Sequence, residues 1–77
     1  MKLYEVIVAG PNLYKVILEP QSEGTYIFEF VSEKSTVPER DWLVDDLEQA
    51  METCEEDYKI FKHQWQKITG KSFTRTQ

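Results

Sequence analysis

The sequence predicts one α+β domain: a three-stranded antiparallel meander followed by a long amphipathic helix packed on one sheet face. Three observations predict it. The N-terminal part holds three short runs rich in β-branched and aromatic residues, separated by turn formers. From Leu43 onward, apolar residues recur at intervals of 4 or 3. With 77 residues there is material for a single small core.

The strand runs are residues 2–9 (KLYEVIVA), 13–19 (LYKVILE) and 25–31 (TYIFEFV). Gly10-Pro11-Asn12 separates the first two, and Pro20 to Gly24 separates the second and third. Connections this short join antiparallel neighbours, because a parallel pair needs a crossover of about a dozen residues or more. Alternation then assigns the faces. Tyr4, Val6, Val8, Tyr14, Val16, Leu18, Tyr26, Phe28 and Phe30 form one wholly apolar or aromatic side, which must be covered. The other side is mixed, with Ile7, Ile17 and Ile27 between charged residues.

The helix is expected over residues 37–68. Thr36 and Glu39 have the spacing of a capping box, with Pro38 in the first turn. Leu43, Leu47, Met51, Cys54, Tyr58, Phe61, Trp65 and Ile68 fall in one stripe, and Gly70 follows as a C-cap. The alternative is a break near residues 53–57, where Thr53 and Glu56 repeat the capping-box spacing. Residues 70–77 read as a flexible tail. Charge agrees with one helix: residues 39–57 hold nine acids against Arg40 alone, and residues 58–77 hold five bases and no acid. That polarity suits the helix dipole.

A helix of that length spans roughly 45 Å at 1.5 Å per residue, whereas the strands span about 20–27 Å. One sheet cannot cover such a stripe. The expected overhang is Tyr58, Phe61, Trp65 and Ile68, and exposed aromatic surface of this kind calls for a partner. An antiparallel pair of helices would match the acids of one copy to the bases of the other, so a homodimer is expected. Trp42 lies on the reverse of the stripe with Ile60. It either packs on the strand-to-helix loop or serves as a contact anchor.

No catalytic, cofactor or metal constellation is legible. Cys54 and His63 stand about 14 Å apart along one helix and are too few for a tetrahedral metal site. Gly70-Lys71-Ser72 resembles the end of a phosphate loop, but Trp65 stands where its first glycine belongs. The acids lack the spacing of a calcium loop. The strands carry as many acids as bases or more, which argues against a nucleic-acid-binding sheet. Residues 1–9 lack the ordered regions of a signal peptide, and no apolar run is long enough to span a membrane. With Cys54 the only cysteine, the expected location is cytoplasmic.

The expected function is therefore that of a small acidic interaction or regulatory protein, not an enzyme, acting through a protein-binding surface as a homodimer. An inhibitor or immunity-type protein that masks a basic partner is the first alternative. A ligand-binding or enzymatic domain with its site at a dimer interface is the second.

Overall fold

In the computed structural model, which describes residues 1–75, the three β-rich runs form strands β1 (Lys2–Ile7), β2 (Lys15–Gln21) and β3 (Gly24–Phe30). They pair antiparallel in chain order. Two further strands, β4 (Arg40–Val44) and β5 (Gln66–Thr69), flank them, giving one five-stranded sheet of order β4-β3-β2-β1-β5. Between them in the chain runs the one α-helix among the described residues, α1 (Leu47–Tyr58), which packs on β2, β3 and β4. The fold is thus α+β with an antiparallel sheet and a helix on it, but the sheet has five strands where the sequence predicts three.

The expected helix over residues 37–68 is the main correction. Thr36 and Glu39 cap nothing: the Glu39 carboxylate accepts from the Val31 N–H and the Ser35 hydroxyl within the β3–β4 connection. Arg40–Val44 is extended and pairs with β3, as its Trp-Leu-Val sequence favours. The helix starts instead at Asp46, whose Oδ1 accepts from the Gln49 N–H at 2.8 Å. It runs unbroken through residues 53–57 and ends after Tyr58. There Lys59 adopts a left-handed conformation (φ 60°), and the Ile60 N–H reaches back to the Cys54 carbonyl. Ile60, assigned by periodicity to the reverse face, turns under the helix and is only 3% exposed. Trp65 and Ile68 belong to the β5 region, beyond a short 3₁₀ turn at Lys62–Gln64.

The third strand is also turned over. Ser22 and Glu23 form a two-residue hairpin loop, so Gln21 pairs with Gly24, Leu18 with Ile27 and Ile17 with Phe28. Directly paired residues share a face, and pairing across a two-residue loop joins even positions to odd ones. Ile27 therefore joins Val6, Val16 and Leu18 under α1, with Ala50, Cys54 and Ile60 above them. Phe28 and Phe30 join Leu3 and Ile17 on the opposite face. Gly24 begins β3 with φ +146°, and a Cβ there would fall 2.3 Å from the Val44 carbonyl oxygen, so the hairpin requires glycine.

The opposite face is covered by the chain's own C-terminal segment. Residues 70–75, expected to be a flexible tail, cross it and seat the Phe73 ring 5.4 Å from both Phe28 and Phe30. Thr76 and Gln77 lie outside the described residues. The segment is held by Glu19, a carboxylate with no solvent exposure at the end of β2. Glu19 accepts from the Phe73 N–H (2.7 Å), the Ser72 hydroxyl (2.6 Å), Gln21 Nε2 (2.6 Å) and the Thr74 hydroxyl (3.2 Å). Burial pushes this carboxyl's pKa up, but the donors outweigh burial and hold it below its ordinary value.

Candidate interaction surface

The residues of α1 divide cleanly. Leu47, Ala50, Met51, Cys54 and Tyr58 face the sheet. At 100° per residue they span an arc of roughly 100°. Glu48, Glu52, Glu55 and Glu56 are exposed and fall in an opposing arc of similar width. Exposed Asp45, Asp46 and Asp57 extend the charge at both ends. Among the described residues, none of these carboxylates has an ion-pair partner within 4.0 Å; the ion pairs are Lys15–Glu5 and Arg40–Glu29.

Asp46 and Glu48 suit the N-terminal end of α1, but much of the remaining charge is unfavourable for the fold itself. Glu48, Glu52 and Glu56 are successive i, i+4 neighbours of like charge. Glu55, Glu56 and Asp57 occupy the last turn, where no base is present and the helix dipole favours cations. On a helix running from residue 37 to 68 the same acids would lie near the middle, away from either end of the dipole. Ending the helix at Tyr58 brings them to the unfavourable end.

A shallow groove of about 370 Å³ lies beside this face, lined by Glu52, Glu55, Glu56 and Lys62. Next to Lys62 in the chain, Phe61 is 46% exposed, with its ring stacked parallel to His63 at 6.4 Å. An accessible aromatic ring thus stands one residue along the chain from the groove. A second cleft, of about 400 Å³, is lined by Glu5, Val6, Ile7, His63, Gln64 and Gln66. Its acid is engaged with Lys15 at 3.7 Å.

The five residues expected at an interface do not form a surface: three of them meet in the core. Tyr58 packs under α1 and donates its hydroxyl to the Glu29 carboxylate, while Trp42 packs in the same core from β4. Trp65 also packs against that core, with its Nε1 buried and without an acceptor among the described residues. Ile68 packs on the other face of the sheet. Only Phe61 is exposed. The overhang behind the homodimer expectation does not exist: α1 spans about 18 Å, within a molecule measuring 32 × 27 × 20 Å.

Beneath α1, Glu29 is buried and also lies 3.9 Å from Arg40 Nε. Burial and the hydrogen bond to Glu29 both push the Tyr58 hydroxyl's pKa up. Burial, with Asp57 and Glu29 nearby, pushes the Cys54 thiol up to about 12, so it is protonated at neutral pH. These groups form a structural polar layer within the core. Among the described residues no group of three or more His, Cys, Asp or Glu is arranged to hold a metal ion, and no helix is long and apolar enough to cross a membrane.

Sequence reasoning found these acids but placed them on the wrong helix. The usable signal was Asp46 followed by Gln49, a capping pair that starts the helix at residue 47 and leaves Glu55–Asp57 near its end. Comparison with known proteins gives no match to any family model, curated protein or solved structure.

Proposed function

We propose that this chain is a protein-binding module that presents the carboxylate stripe of α1, with Phe61 beside it, to a basic surface on another protein. The observation that carries this reading is the placement of Glu52, Glu55 and Glu56. They are exposed and unpaired among the described residues; like-charge repulsion along the helix opposes all three, and the helix dipole opposes Glu55 and Glu56 in the last turn. Local choices that oppose the fold are expected where a chain meets a functional demand. A net charge of −5 adds long-range attraction for a cationic partner and raises its association rate. A second copy is a poorer occupant, since it would bring the same acids to the same surface.

The test compares two variants of equal net charge. Glu52→Gln/Glu56→Gln neutralises the helix stripe, whereas Glu23→Gln/Glu33→Gln neutralises two exposed acids outside it. Binding to a folded, lysine-rich protein is followed by calorimetry at several salt concentrations. The helix variant should lose at least tenfold in affinity and the loop variant little. Equal losses would mean that bulk charge alone attracts cations, and the reading would be abandoned.

A further inference from the structure

The two edges of the sheet differ in a way that extends the proposed function. β5 is short and polar, Gln66-Lys67-Ile68-Thr69, and its lysine is the kind of residue that discourages strand addition. β4 is different. Arg40–Val44 contains no lysine or proline, and Trp42-Leu43-Val44 is a consecutive apolar run with Leu43 44% exposed. Among the described residues β4 is paired with β3 alone, and no other backbone hydrogen bond involves positions 40–44. Its outer row of amides and carbonyls is an open template for another strand.

The charges around that edge select the occupant. Glu39 and Asp41 stand at its start and Asp45 and Asp46 just beyond its end, with Arg40 the one base among them. A second copy added antiparallel about Trp42 would set Glu39 against Asp45 of the other copy at both ends, and like charges directly opposite are destabilising. An extended segment with an apolar centre and lysine or arginine at both ends meets no such repulsion. It would place apolar residues beside the exposed Leu43 on one face and beside the half-buried Trp42 and Val44 on the other, with its bases on the flanking acids.

We infer that the basic partner binds by adding such a strand to the β4 edge, with the α1 stripe attracting it from the adjacent surface. This inference rests on the function proposed above, and its test separates the two. The probe is the octapeptide Lys-Lys-Val-Thr-Val-Thr-Lys-Lys, and its counterpart with every amide N-methylated keeps the charge but cannot donate to a strand. Amide chemical shifts of the protein are followed as each is added.

Strand addition requires shifts at residues 40–44 with the first peptide and at least tenfold weaker binding of the second. Leu43→Lys, which places a like charge on the edge at an exposed position, should likewise weaken the first peptide at least tenfold while the variant stays folded by circular dichroism. Equal binding of both peptides with shifts confined to α1 would overturn the edge inference and leave the acidic surface standing. Failure of both peptides to bind in low salt would overturn the two together. A dimer by light scattering that pairs through residues 40–44 would overturn the choice of a basic occupant.

Discussion

Neutralising Glu52 and Glu56 should make the protein more stable, although neither residue touches the core. The substitution Glu52→Gln/Glu56→Gln keeps side-chain shape and near-equal helix propensity, so charge is the variable changed. It removes the like-charge neighbours Glu48–Glu52, Glu52–Glu55 and Glu52–Glu56, each worth about 0.2–0.5 kcal/mol. It also lifts one negative charge from the last turn of α1, worth at least about 0.3 kcal/mol. Lys62, which lines the same groove, loses some attraction and reduces the gain. The net is about 1 kcal/mol in low salt, or a rise in Tm of about 4–8 °C for a domain of this size.

Thermal unfolding by circular dichroism measures this directly. Because the effect is electrostatic and exposed, it should shrink steadily with added sodium chloride and nearly vanish at 1 M, where the screening length is about 3 Å. The parent protein should gain stability over the same salt range, closing the gap from below. Glu33→Gln, on an exposed loop residue, should change Tm little. A helix variant no more stable than the parent, or a difference indifferent to salt, would refute the reasoning. The acids would then be compatible with the fold, and the argument that function demands them would lose its basis.

Three further outcomes are expected. Because hydrogen bonds hold the Glu19 pKa below that of the unfolded chain, its contribution is fully present above the ordinary carboxylate value of 4.5 and is lost as pH falls through the lowered value. Glu19→Gln should therefore cost about 1–3 kcal/mol at neutral pH by urea titration, and the variant should lack that share of the parent's acid sensitivity. Trp65→Phe removes the buried Nε1 that has no acceptor among the described residues, so it should cost less than 1 kcal/mol or stabilise slightly, whereas Trp65→Ala should cost about 2–4 kcal/mol in the same assay. Gly24→Ala should destabilise by more than 1 kcal/mol and accelerate amide exchange in β3 and β4, since a Cβ would meet the Val44 carbonyl.

The first three strands were legible because each is a continuous β-rich run bounded by turn formers, and the structure departs from the expected limits by only a few residues. The central helical stripe was legible too: Leu47, Met51, Cys54 and Tyr58 all face the sheet. What misled was the extension of their spacing in both directions. Leu43 stands 4 residues before Leu47, and Phe61 stands 3 after Tyr58, so interval counting continued through both ends. Neither end carries glycine or proline. At one end Asp46 caps the helix, and at the other Lys59 takes the left-handed conformation usually left to glycine. The counter-signal was composition: Trp42-Leu43-Val44 and Ile68-Thr69 favour strands. For the surface, the acids were visible in the sequence, but their unfavourable position depends on where the helix stops.

The most consequential local choice is the length of one loop. Had Pro20 to Gly24 formed a five-residue connection, Tyr26, Phe28 and Phe30 would share a face with Val16 and Leu18, and one helix could cover them. The two-residue loop at Ser22-Glu23 joins positions of opposite parity, which sends Ile27 to the helix side and the phenylalanines to the other. That second face then cannot be left to water, because Phe28, Phe30, Leu3 and Ile17 form a contiguous apolar surface. The helix is already committed to the first face, so residues 70–75 must serve as the cover. A single ring, Phe73, seals the centre, but a segment without sheet pairing needs an anchor. The buried Glu19 carboxylate supplies it by accepting from one backbone amide and two hydroxyls of that segment. The buried charge at the end of β2 thus follows from the register of the neighbouring hairpin, which ties residues 72–74 to a loop some 50 residues earlier.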